Sequence, residues 1–394
     1  ILFRMLHHRL ARGPALCGTR TGFKPAQCSL LPLSRSRRQL RAAAQTDPFA
    51  TSPATAQKPT SSPAPQPQKR KPYELSHAVN KTFIWKGYRC NFLTAGCGEP
   101  VVLVHGFGLS GAHYRRMIKE LSQSYKVYAI DLLGFGGSAK PPKEYSIELW
   151  AEQLADFCKE FCAGAPPILV GNSIGSLIAL QAAATAAPGQ VRGVVLLNAA
   201  GAMNNKGILN DWRILLAYPL LMLIDFLLSI PAVSGAIFKN FAQPDNIRQA
   251  LKNVYSNAES VDDELVELVH GPSLDAGARE VFVRVITGPP GPKPFGLVAQ
   301  LPAALPLLVL WGDQDTLTPA DGPVGRFFQD LPNKRPATTF KFLPGVGHCL
   351  HDDKPELVHA ELLPWLERVV KGSGAGAPGD AAACAEGQIK AAKA

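Results

Sequence analysis

Residues 168–177 read ILVGNSIGSL: an apolar run that ends in Gly171-Asn172-Ser173-Ile174-Gly175 and passes straight into a helical pattern over 174–187. A GxSxG string at the junction of a strand and a helix requires a sharp turn. The serine stands above the sheet, and the residues two positions to either side must be small for strand and helix to close on one another. In a chain with 35 glycines the string alone carries little, so its surroundings decide. A rival motif lies upstream in VVLVHGFGLSG (101–111). There Gly106, Gly108 and Gly111 spell GxGxxG after a strand, and Asp131 closes the next strand, as in a dinucleotide site.

Three features favour the serine turn. HGFG (105–108) precedes it at the place where a hydrolase sets its second oxyanion donor, the N–H of Phe107, beside that of Ile174. In DLLGFGGS (131–138), Gly136 and Gly137 suit a loop better than a pyrophosphate. Downstream, LWGDQDTLTP closes a strand with Asp313 and Asp315, and LPGVGHCLHDD follows the next strand with His348. The order Ser173, Asp315, His348 is the one an α/β-hydrolase elbow needs.

These positions predict a nucleophile (Ser173), a general base and acid (His348) and an orienting carboxylate (Asp315), with no metal or cofactor. Each residue has a plainer reading: a turn serine, a loop histidine, a cap before TLTPAD. The joint occurrence at strand ends in the right order favours the chemical one. Asp313 lies next to Gly312 and is expected to bond the loop, and an amide at 198 removes another acid position. His105, His113 and His351 are weaker bases, because they precede the oxyanion loop, open a helix, or lie past the better candidate.

Outward from this centre, short apolar runs alternate with helical patterns. Strands are expected at 82–85, 88–93, 101–106, 126–131, 168–172, 194–198, 307–312 and 339–343. Helices fit 113–123, 146–162, 174–187 and about 354–370, the last with Asp353 as N-cap and Pro355 in its first turn. The alternation predicts an α/β fold of the α/β-hydrolase kind: a mostly parallel sheet with helices on both faces, whose first two strands pair antiparallel. Between about 201 and 300 the rhythm breaks, which predicts an inserted helical cap.

Residues 1–72 hold 13 of the 41 basic residues and one of the 31 acidic ones, leaving 28 basic against 30 acidic in the remainder. The net charge of +10 therefore belongs to residues 1–72, and a basic nucleic-acid face has little support. Residues 1–46, rich in Arg and free of acid, have the composition of an organelle transit peptide. Residues 47–72 read as a Pro-rich linker, 73–370 as the catalytic domain and 371–394 as a small-residue tail. The eight cysteines show no metal spacing, and reduced thiols are expected.

ILLAYPLLMLIDFLLSIPAV (214–233) is as long as a membrane span and holds one charge, Asp225. A single crossing would leave Ser173 on one side of the bilayer and Asp315 and His348 on the other. The stretch is therefore expected to be a lid, broken at Pro219 and Pro231, with Leu220, Leu223 and Phe226 lining a site for a long apolar chain. Any membrane contact would be peripheral.

GNSIGSL (171–177), VVLLNAAGAMNNKGILNDWR (194–213), IDFLL (224–228) and SVDDELVELVHGP (260–272) resemble a plant and algal α/β-hydrolase group, the chlorophyll dephytylases. So do ITGPPGP (286–292), LWGDQDTLTPADGPVG (310–325) and GVGHCLHDDKPELVH (345–359), so that the resemblance spans most of 80–370. The related pheophytinases usually carry Gly-Gly where this chain has Gly175-Ser176. The resemblance implies hydrolysis of the phytyl ester of chlorophyll to chlorophyllide and phytol at chloroplast thylakoids, with Ser173, Asp315 and His348 as the triad. Other readings are a pheophytinase or other carboxylester hydrolase, a C–C bond hydrolase, which would want a cationic cap, and a small-ligand receptor on a hydrolase scaffold.

Overall fold

The eight apolar runs become eight strands of one sheet. The computed structural model describes residues 73–204, 206 and 222–372, so the leader, the Pro-rich linker, Leu220 and the tail from 373 lie outside the described residues. Strands β1 (Val79–Trp85) and β2 (Tyr88–Ala95) form a hairpin whose two-residue turn, Lys86-Gly87, has positive φ at both positions. That turn matches the twist of the strands it joins. β3 (Pro100–Val104), β4 (Lys126–Ile130), β5 (Ile168–Asn172), β6 (Gly193–Leu197), β7 (Leu307–Gly312) and β8 (Thr338–Leu343) complete the sheet. Its spatial order is β1-β2-β4-β3-β5-β6-β7-β8. β2 pairs antiparallel with both β1 and β4, and all other pairings are parallel.

The central strands are buried along their whole length because helices cover both faces, which is why they read as unbroken apolar runs. On one face lie α2 (Ile147–Phe161), α3 (Ile174–Thr185) and, later in the chain, α10 (Pro323–Lys334). On the other lie α1 (Arg115–Leu121) and the closing α12 (Pro355–Gly372). Ser146 caps α2 by accepting from the Leu149 N–H at 3.2 Å.

Two local expectations are corrected. The helix expected over 113–123 begins as a 3₁₀ turn, Gly111–Tyr114, because the Gly111 N–H is drawn onto Asp131 Oδ1 at 2.6 Å, close against β4. Asp353 does not cap α12. It closes a short helix, α11 (Leu350–Asp353), and its carboxylate instead accepts from Gly347 N–H, Ser256 N–H and Oγ–H, and Asn257 N–H.

Between β6 and β7 the chain leaves the sheet for α4 (Met222–Ser229), α5 (Pro231–Phe241), α6 (Pro244–Lys252), α7 (Asp263–Ser273), α8 (Ala278–Thr287) and α9 (Pro294–Gln300). Proline opens α5, α6 and α9, where its missing N–H costs nothing. Pro231 thus divides the apolar stretch, and α4 and α5 meet at a 96° bend. Among the described residues no single helix is long and apolar enough to cross a membrane. Cys90, Cys158, Cys162 and Cys349 are free thiols. Cys97, half-buried between β2 and β3, is disulfide-bonded, so the expectation of reduced thiols throughout fails there.

Candidate active site

Ser173 sits between β5 and α3 with φ 57° and ψ −121°, a backbone state that few non-glycine residues adopt. The turn is held by its surroundings: the Ser173 N–H donates to Leu197 O at 3.1 Å, and its carbonyl accepts from Ser176 and Ala200 N–H. Both flanking glycines are required by close approach. A Cβ on Gly171 would lie 2.2 Å from Gly175 O, and one on Gly175 would lie 2.1 Å from Val104 O. Ser176 is fully buried and donates its hydroxyl to Gly171 O at 2.6 Å, a bond that a glycine there could not make.

His348 and Asp315 stand on the loops after β8 and β7 and are both buried. His348 Nδ1 lies 2.8 Å from Asp315 Oδ2. The other donors to Asp315 are local: Leu317 and Thr318 N–H reach Oδ1 at 2.8 and 2.9 Å, and the Thr318 hydroxyl reaches Oδ2 at 2.5 Å. Burial pushes the carboxyl up, but His348 and Thr318 outweigh it and hold Asp315 below its ordinary value. It is thus an anion aimed at Nδ1, leaving Nε2 as the ring's second working nitrogen. The base loop meets the nucleophile turn directly, since Asn172 Nδ2 donates to His348 O at 3.1 Å.

The HGFG loop closes on the same place. A Cβ on Gly106 would be 3.4 Å from Ser173 Cβ, which puts Phe107 beside the serine. Ile174 is the first residue of α3, so its N–H has no acceptor within the helix and points out of the helix's positive end. Above the loop, the Phe107 ring meets Phe135 and Phe282 at centroid distances of 5.8 and 5.9 Å. Phe282, on α8, meets Phe238 and Phe241 of α5 at 5.4 Å each. This aromatic chain from oxyanion loop to cap was missed in the sequence, although the three-residue spacing of Phe238 and Phe241 signals one helix face.

The rejected candidates are occupied elsewhere. Asp131 accepts from Gly111 N–H, Gly137 N–H and Asn91 Nδ2, so both its oxygens serve the loop rather than a ribose. Asp313 accepts from Gly345 N–H, as expected of a loop-bonding residue. His105 Nε2 accepts from Leu132 N–H. His113 Nε2 meets Tyr255 Oη at 2.7 Å, and His113 Nδ1 meets His351 Nε2 at 3.0 Å. Among the described residues no three His, Cys, Asp or Glu side chains gather as a metal ligand set.

That histidine pair makes stability depend on pH. Burial, then the neighbouring His348, lowers His351 from 6.5 to about 3, and burial together with His351 lowers His113. The folded chain therefore sheds protons that the unfolded chain keeps, so stability is lost as pH falls below about 6.5. At pH 5 the loss from His351 alone is about 2 kcal/mol. Thermal melts should show Tm falling from pH 7 to pH 5, with a shallower slope in His351→Gln. Equal slopes would refute this assignment.

Of the expected lid residues, Leu220 lies outside the described residues. Leu223 and Phe226 are 50% and 63% exposed and share an outward face of α4 with Met222 and Leu227, whereas Leu228 turns inward. The two are not enclosed over the serine. The helix period explains this, since 222, 223, 226 and 227 fall on one stripe and 228 on the other side. The charge in the stretch, Asp225, is taken up by Lys206 at 2.5 Å.

An elbow serine, a buried His–carboxylate pair and an aromatic cap on an eight-stranded, mostly parallel sheet define a hydrolase architecture. The chain belongs to the alpha/beta hydrolase family, which matches residues 101–361. It is 26% identical over 334 residues to the chloroplastic pheophytinase of Arabidopsis thaliana, covering 73% of this chain and 66% of that enzyme, just under two thirds. It is 30% identical over 252 residues to the 2-hydroxymuconate semialdehyde hydrolase of Pseudomonas sp. (strain CF600), covering 62% of this chain and 80% of that one. Among solved structures it resembles the CarC serine hydrolase of carbazole degradation, with a TM-score of 0.56 and 22% identity over 74% of this chain and 99% of that chain. At that identity the likeness concerns the fold alone.

Proposed function

We propose that this protein is a serine esterase that hydrolyses the phytyl ester of chlorophyll to chlorophyllide and phytol in the chloroplast, at thylakoids. The observation that carries the chemistry is the His348–Asp315 pair brought against the Ser173 turn. In the proposed reaction His348 Nε2 takes the Ser173 hydroxyl proton as Oγ attacks the ester carbonyl. The oxyanion is stabilised by the N–H groups of Phe107 and Ile174, while Asp315 stabilises the imidazolium. His348 then protonates the departing phytol oxygen, and water, deprotonated by the same imidazole, releases the carboxylate from the acyl-enzyme.

The substrate is supported by the pheophytinase relative and by the aromatic chain Phe107–Phe282–Phe238/Phe241, which suits a flat ring system and an apolar alcohol. The outward stripe Met222, Leu223, Phe226, Leu227 suits peripheral contact with a membrane, from which so apolar a substrate would be drawn. A second reading, C–C bond hydrolysis of an acidic dienoate, is favoured by the 2-hydroxymuconate semialdehyde hydrolase relative. Against it, the described cap residues before Lys239 include one cation, Lys206, and Asp225 neutralises it.

The test is phytol release from chlorophyll a and pheophytin a, run beside a short-chain ester and a muconic semialdehyde. Phytol release from chlorophyll that is absent in Ser173→Ala is the expected result. Release only from pheophytin would make the protein a pheophytinase, and cleavage of the semialdehyde alone would overturn the ester reading.

A further inference from the structure

We propose that Asn198, at the end of β6, is a positioning residue that holds the loops of Asp315 and His348 in register. The proposal rests on the triad reading given above. Asn198 is fully buried and has a φ of 45°. Its backbone N–H donates to Leu310 O at 3.0 Å, which anchors it to β7. Its side chain then makes three bonds to the two loops. Oδ1 accepts from Gly312 N–H at 2.9 Å, and Nδ2 donates to Gly347 O at 2.8 Å and to His348 O at 3.0 Å.

Gly312 is where the acid loop begins, and its own carbonyl accepts from Asp315 N–H at 3.3 Å. One amide thus grips the root of the acid loop with its oxygen and the base residue's backbone with its nitrogen. The base loop has further contacts: His348 N–H donates to Val254 O at 2.7 Å, and Asn172 Nδ2 shares the His348 carbonyl at 3.1 Å. From the acid loop itself, Gln314 N–H donates to Val346 O at 3.0 Å, and Asp313 Oδ1 accepts from Gly345 N–H at 2.7 Å. Of these groups Asn198 is the one that stands outside both loops and bonds each of them through its side chain. Only a group with a donor pair and an acceptor on one planar head fits. A carboxylate would keep the bond to Gly312 N–H but turn an oxygen toward two carbonyl oxygens. The amide at this strand end, in place of an acid, is thereby explained as a clamp.

The experiment compares wild type, Asn198→Asp and Asn198→Gly on p-nitrophenyl butyrate, with active serines counted by a fluorophosphonate probe and folding followed by Tm. Asn198→Asp keeps the side-chain volume and the Gly312 bond, and Asn198→Gly relieves the positive φ while removing the clamp. Displacement of the base from its acid is expected to lower kcat per labelled site about 10–100-fold. KM should stay within about twofold, because the ester-binding surface is untouched. A kcat per site within about threefold of wild type in both variants, whatever the change in Tm, would overturn the proposal. So would loss of folding in both, since the amide would then be structural. Wild type that neither labels nor cleaves the ester would instead overturn the triad reading.

Discussion

Ser173→Ala is expected to reduce ester cleavage by about 10⁴-fold or more while leaving the fold intact. The elbow does not depend on the hydroxyl: its bonds run through the backbone of residue 173, to Leu197 O, Ser176 N–H and Ala200 N–H. Alanine tolerates the positive φ about as poorly as serine does, so Tm should change little. What is lost is the atom that forms the acyl-enzyme. The remaining acceleration would come from the two oxyanion N–H groups and from binding. The measurement is turnover on a short ester together with loss of fluorophosphonate labelling. Retained turnover in a folded, unlabelled variant would reject Ser173 as the nucleophile.

Asp315→Asn is expected to lower kcat by about 10⁴-fold with KM little changed. An amide at this position keeps the shape of the side chain, and its oxygen can still accept from Leu317 and Thr318 N–H, which now bond Oδ1. The group facing His348 Nδ1 would then be an NH₂ donor, which selects the tautomer with its proton on Nε2 and leaves no base toward Ser173. It would also lose the charge that stabilises the imidazolium. Asp313, two residues earlier, cannot substitute, because it is exposed and its carboxylate bonds Gly345 N–H. A loss below about tenfold would mean that another acid supports His348.

Much of this was legible in the chain, for identifiable reasons. Strands β3, β5, β6 and β7 were readable because burial on both faces demands continuous apolar runs. The elbow was readable because only glycine fits at 171 and 175, where a side chain would strike a carbonyl oxygen. Asp315 and His348 were readable as candidates because strand ends are where such a sheet places its chemistry. Three features were not legible. The reassignment of Asp353 from helix cap to loop clamp depends on residues 256–257, which lie far from it in sequence. The exposure of Leu223 and Phe226 depends on which side of α4 meets the body, and an evenly apolar stretch carries no such mark. The aromatic chain joins residues 107, 238, 241 and 282 from three separate elements.

Local rules by themselves determined the α/β architecture and the serine turn, because hydrophobic period and glycine sterics act between near neighbours. Tertiary structure alone decided which candidate polar side chains meet at that turn and which bond the frame. Asp131, His105, His113, His351 and Asn198 look as chemical as the triad in one dimension. What separates them is where their hydrogen bonds go, and the partners that these five bond arrive mostly from distant segments.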